Sequence, residues 1–202
     1  MNTKAIEVYY LIKLLNKYEI GIVTIINYYT KTYTFNNDKE LRIAVKLWNS
    51  DTSTCIRKYG HISYWDVSKI RIMAKLFYGN TYFNEDISLW NTKKVTDMRD
   101  MFCGCITFNK PLNSWNVSKV KCMNSMFACC NSFNKPLDKW NTSNVKNMEE
   151  MFTKCYLFNQ DISTWDISKV KNVSWMFQEC HNFNQDISHW DLKHIEAKRY
   201  IF

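Results

Sequence analysis

The sequence predicts an α/β repeat solenoid, a stack of short parallel strands and short helices closed by a helical N-terminal cap. Three observations predict it. Trp65, Trp90, Trp115, Trp140, Trp165 and Trp190 recur at an unbroken interval of 25 residues. Two phenylalanine ladders keep the same interval: Phe77, Phe102, Phe127, Phe152 and Phe177, and Phe83, Phe108, Phe133, Phe158 and Phe183. Within each unit, a stretch with apolar residues three and four apart precedes one in which apolar and polar residues interleave. Self-similarity at a fixed period of this size is the signature of repeat architectures.

The first half of a unit reads as a short helix. Val145, Met148, Met151, Phe152 and Cys155 fall on one helical face, with Glu149 and Glu150 on the other side and Ser143 or Asn141 as candidate cap. The second half, Phe158 to Trp165, sets Phe158, Ile162 and Trp165 among polar residues and reads as a short extended segment. Aliphatic ladders accompany both halves: Ile70, Val95, Val120, Val145, Val170 and Ile195, and Ile87, Leu112, Leu137, Ile162 and Ile187. One such unit cannot bury its apolar side alone, so neighbours must stack to form a continuous core.

Four segments follow. Residues 1–37 are a leader or cap, partly helical, with Ile6, Tyr9, Tyr10, Ile12 and Leu14 on one side of an amphipathic stretch over Ala5 to Tyr18. Residues 38–64 are a helical lead-in and a first degenerate rung, 65–195 the repeat array, and 196–202 a polar tail. Glu7 and Lys13 interrupt the apolar run near the start, and Ile20 to Tyr29 is too short to cross a bilayer. Neither a signal peptide nor a membrane span is expected, which points to an intracellular, cytoplasmic setting with reduced thiols.

Composition narrows the function. Only four glycines and two prolines occur, which disfavours a glycine-rich phosphate loop. The four histidines, His61, His181, His189 and His194, form no recurring pattern with serine, cysteine or aspartate, and no HExxH or GxxxxGK[ST] motif is present. No enzyme, cofactor or metal is expected. The eight cysteines include no C-x-x-C pair, and Cys105, Cys130, Cys155 and Cys180 follow the apolar face, where a thiol behaves as a small hydrophobe. Net charge is +8, and two basic rows stand out: Lys69, Lys94, Lys119 and Lys169, then Arg71, Lys121, Lys146 and Lys171. Rows of like charge can track a phosphate backbone, so nucleic acid is an alternative partner.

The clearest copy of the repeat, Met151 to Val170, reads Met-Phe-x-x-Cys, then Phe-Asn-x-Asp-Ile-Ser-x-Trp-Asp-x-Ser-x-Val. These motifs resemble the BspA-type leucine-rich-repeat family, whose repeats occur in bacterial surface proteins, mycoplasma lipoproteins and proteins of large DNA viruses. The resemblance covers about residues 38 to 195. It implies a leucine-rich-repeat-like solenoid used for binding or adhesion, with no catalytic residues, and host cytoplasm as the location if the source is viral. Pro111 and Pro136 depart from the pattern, standing where Asp86, Asp161 and Asp186 stand elsewhere. Proline brings no backbone donor, so those rungs are expected to pair less regularly.

The ladders themselves read as structure. Indoles recurring beside aliphatic ladders are core, and the asparagines Asn84, Asn109, Asn134, Asn159 and Asn184 are positioned to bond neighbouring backbone. Binding is expected where residues vary between rungs. The position before each tryptophan holds Tyr64, Leu89, Ser114, Lys139, Thr164 and His189, and the one before that Ser63, Ser88, Asn113, Asp138, Ser163 and Ser188. The nominated partner-binding strip is Asp138, Lys139, Ser163, Thr164, Ser188 and His189. The expected function is a monomeric, non-enzymatic scaffold for a protein partner, with nucleic-acid binding and a secreted or surface adhesin as rivals.

Overall fold

The architecture is given by a computed structural model that describes residues 31–202. The leader helix expected over Ala5 to Tyr18 lies outside the described residues. Helices are confined to the segment before the array. Helix α1, Asp38–Ser50, starts at Asn37, whose side chain accepts from the Glu40 N–H at 2.9 Å. It buries Leu41, Ala44, Val45 and Trp48, the spacing of a single helical face. Asp51 ends α1 and caps α2, Thr52–Tyr59, by accepting from the Thr54 N–H. Gly60 follows at φ 77°, where a Cβ would lie 2.1 Å from the Lys31 carbonyl oxygen, so only glycine fits. A 3-10 turn over Ile62–Tyr64 leads into Trp65.

Beyond Tyr64 the described residues form no further helix and no strand, only isolated parallel bridges. The expected α/β stack of parallel strands and helices is therefore not what forms. Single-residue bridges link Ile72, Asp97, Cys122, Asn147, Asn172 and Ala197 from unit to unit, without a sheet.

The backbone hydrogen bonds give the reason. In the stretch expected to be helical, the N–H groups of Met148, Glu150, Phe152 and Lys154 donate to carbonyls of the next unit, those of Asn172, Ser174, Met176 and Gln178. The N–H groups between them close turns, Met151 to Met148, Thr153 to Glu150 and Cys155 to Phe152. Alternate amides thus serve neighbour and turn, a division that neither helix nor strand permits. The first and last of these turns have φ > 0 at their third positions, Glu150 and Lys154. That conformation recurs at Lys75 and Gly79, Asp100 and Gly104, Ser125 and Cys129, Glu150 and Lys154, and Trp175 and Glu179. Asn141 is no helix cap; its side-chain oxygen accepts from the Ser143 N–H and hydroxyl in a local turn.

The segment expected to be extended is also bonded differently. The N–H of each ladder asparagine donates to the side-chain oxygen of the asparagine one unit back: Asn109 to Asn84, Asn134 to Asn109, Asn159 to Asn134 and Asn184 to Asn159, at 3.0–3.1 Å. Side chains do here what backbone carbonyls do in a sheet. In the two proline rungs the turn that Asp86, Asp161 and Asp186 make with the serine two residues on is missing. Asn113 bridges there instead, donating to the Asp138 carboxylate and accepting from the Lys139 N–H.

The core consists of columns running through the units. Trp65, Trp90, Trp115, Trp140, Trp165 and Trp190 are all buried. Phe102, Phe127, Phe152 and Phe177 stack at 5.6–5.8 Å between centroids, within 6° of parallel. Each indole N–H from Trp90 to Trp165 donates to a carbonyl of the preceding unit, Ile62, Ile87, Leu112 and Leu137 in turn. Trp190 is the exception: its buried N–H has no acceptor among the described residues, and an apolar cavity of about 320 Å³ opens beside it between Ile187, Leu192 and Phe202.

The helical segment seals the first rung. Phe35, Trp48 and Tyr59 pack on the Trp65 indole. The Asp38 carboxylate accepts from the Arg71 and Ile72 N–H groups, and Arg42 donates to the Ala74 carbonyl. At this junction burial pushes the His61 imidazole down to about 4, and burial also raises Glu85, 3.8 Å away. The histidine is therefore neutral at physiological pH.

The asparagine ladder makes a position-dependent prediction. Asn134→Leu removes the acceptor for the Asn159 N–H and the Gln160 amide and is expected to destabilise by about 1–3 kcal/mol. Asn184→Leu, which strands no backbone N–H of a following rung among the described residues, is expected to cost less than about 0.5 kcal/mol. Urea denaturation of both variants checks the difference.

Candidate binding face

Every residue of the nominated strip lies on one side of the stack. Asp138, Lys139, Thr164, Ser188 and His189 are exposed and Ser163 is half-buried. Rung-to-rung registration brings them together, because residues 25 or 26 apart are hydrogen-bonded neighbours. Part of the strip is engaged in holding the rungs. Ser114 and Thr164 donate through their hydroxyls to the Ser88 and Asp138 carbonyls, both at 2.8 Å, and His189 Nε2 lies 2.8 Å from the Ser163 carbonyl oxygen. Among the described residues Lys139 makes no such bond from its ammonium group, and Leu89 is 72% exposed at the same position.

The strip forms one wall of a recurrent groove. Open cavities of about 250, 540 and 280 Å³ lie along it, at Tyr64–Asp66, Ser114–Ser118 and Trp165–Ser168. Each is lined by the residue after a tryptophan and by the two residues that flank the tryptophan one rung on: Asp66 with Leu89 and Asn91, Asn116 with Lys139 and Asn141, Asp166 with His189 and Asp191. The sequence reading missed this second row, Asp66, Asn91, Asn116, Asn141, Asp166 and Asp191, although its 25-residue recurrence was visible. Its side chains accept from the amides two residues on, which fixes them as the groove floor. Hydrogen bonds from Ser168 hold the Asp166 carboxyl below the usual carboxylate range, so it is charged at neutral pH.

The basic rows are exposed and flank the buried column from Ile70 to Val170. Lys69 and Lys169 donate to Asn36 and Asn144, and Lys171 pairs with Glu196 at 3.0 Å. Among the described residues the side chains of Lys94, Lys119, Lys121 and Lys146 make no hydrogen bond or ion pair.

The cysteine ladder is buried. Cys105, Cys130 and Cys155 donate through Sγ to the Phe77, Phe102 and Phe127 carbonyls, and Cys180 to Cys155. No group of His, Cys, Asp and Glu among the described residues is arranged to hold a metal. No described helix is long and apolar enough to cross a membrane.

The repeat sequence matches the family model described as "Mycoplasma protein of unknown function, DUF285", over residues 51–155 and again over 119–202. The chain belongs to the DUF285 family. The overlap of the two matches reflects the repeat, since the model fits in more than one register along the array. No curated protein and no solved structure matches the chain. Membership in DUF285 establishes a broad repeat family whose function is unknown.

Burial sets the thiol chemistry. It pushes Cys55, Cys105 and Cys180 up to about 12 and raises Cys130 and Cys155 well above a free thiol. An acid whose pKa is raised on folding stabilises the fold fully only below its unfolded value, near 8.5. Stability is therefore expected to fall as pH rises from about 9 toward 11, and less steeply in Cys130→Ala/Cys155→Ala. Urea midpoints across that range check the slope. A thiol-disulfide exchange reagent is expected to reach these five cysteines only on unfolding.

Proposed function

We propose that the chain is a non-enzymatic protein-interaction scaffold that receives its partner along the groove beside the tryptophan column. The observation that carries this reading is the repetition of open cavities in the same register on one face. A constant core presents side chains that change from rung to rung, from Tyr64 and Leu89 through Lys139 to His189. That division between fixed frame and variable face is how repeat proteins build extended binding surfaces. The resemblance of Met151 to Val170 to BspA-type repeats points to the same use, and we place the chain with them on the finer level. The eight free thiols suit work in a reducing, intracellular setting.

A photo-reactive residue at Lys139, compared with one at the exposed Leu157, tests the reading in an extract of the source cells. A discrete adduct from position 139 and none from 157 is expected. Adducts from 157 alone, or equal labelling from both, would overturn it.

A further inference from the structure

The second basic row is fixed by the backbone. Lys121 donates its N–H to the Thr96 carbonyl, Lys146 to Lys121 and Lys171 to Lys146, at 2.8–2.9 Å. Lys121, Lys146 and Lys171 are therefore held one above another at roughly the 4.8 Å spacing of paired chains. Like charges stacked in this way repel. At the C-terminal side the repulsion is relieved by Glu196 on Lys171. In the middle it is not: Lys94, Lys119, Lys121 and Lys146 have no partner among the described residues.

The position three residues before the first basic row follows the same division. It is acidic at Asp66 and Asp166, before Lys69 and Lys169, and neutral at Asn91 and Asn116, before the unpaired Lys94 and Lys119. At that position no acid precedes the bare lysines, and the nearby Asp97 is engaged by Arg99 at 2.6 Å. This central window adjoins the groove cavity of about 540 Å³ lined by Asn116, Ser118, Lys139 and Asn141, whose amides and hydroxyl can bond a peptide backbone.

We propose that Lys94, Lys119, Lys121 and Lys146 form a docking site for an extended acidic peptide segment of a protein partner. The proposal rests on the scaffold reading and names the partner's chemistry. The window spans about three rungs, on the order of 10–15 Å, which an extended segment of four or five residues would cover. A nucleic acid fits less well. No aromatic side chain stands on or between the two rows to stack a base. Asp66, Asp166 and Glu196 bound the window with negative charge, against a duplex that carries a phosphate charge every ~1.7 Å.

The test is fluorescence anisotropy with labelled octaglutamate and the full chain, at about 50 mM and about 200 mM salt, beside a single-stranded oligonucleotide and a duplex of similar charge. The chain is expected to bind the peptide, more weakly at high salt. Lys121→Glu/Lys146→Glu is expected to weaken binding about tenfold or more, and Lys39→Glu/Lys46→Glu, the same charge change on helix α1, less than about twofold. The first variant is also expected to be at least as stable to urea as the parent, since it removes repulsion; a merely structural role would lower stability with binding. Equal losses in both variants, no peptide binding, or tighter binding of either nucleic acid would overturn the proposal. If octaglutamate fails to bind while position 139 still yields its adduct, the acidic site falls and the scaffold reading stands. Peptide binding without that adduct means the reverse.

Discussion

A 25-residue unit with a tryptophan, two phenylalanines and several aliphatic side chains on one side has nowhere to hide them except against its own copy. The donation of alternate backbone amides from one unit to the next makes that copy fit. It holds equivalent residues in register, so that indole lies on indole and phenyl on phenyl. A shift by one residue would move every ladder at once. Aromatic columns and amide bridges are two expressions of the same registration.

The same registration explains how polar groups survive in so apolar a stack. Indole N–H groups, cysteine thiols and asparagine amides each find an acceptor or donor one unit away. Buried polar groups without partners are costly, and a repeat meets the requirement once and copies the answer. Trp190, whose N–H finds no acceptor, marks the rung where the pattern lapses. At the other side the helical segment supplies substitutes, with Asp38 taking the amides of Arg71 and Ile72. On the proposed function, partner contact falls to the residues flanking each tryptophan and to the exposed lysines.

The ladders and their burial were legible in the sequence because they depend only on period. The local elements were not. Val145, Met148, Met151, Phe152 and Cys155 are all buried, yet their spacing arises from successive tight turns, which return the chain to the core every three or four residues as a helix would. Alternate turns depend on φ > 0, and of the recurring positions only Gly79 and Gly104 advertise it; Ser125, Cys129, Glu150 and Lys154 adopt it without a sequence signal. The strip at Asp138 to His189, exposed except at the half-buried Ser163, could be located from variability alone. The groove floor, and the use of Thr164 and His189 in rung contacts, needed the spatial register.

Native-state hydrogen exchange, resolved by residue, tests the central claim most directly. The account predicts that the amides of Met123, Phe127, Met148 and Phe152, which donate between interior rungs, exchange only through openings close to global unfolding. Those of the last rung, beyond Phe183, should exchange far sooner. Protection confined to Asp38–Ser50 and Thr52–Tyr59, with the interior rungs exchanging freely, would contradict it.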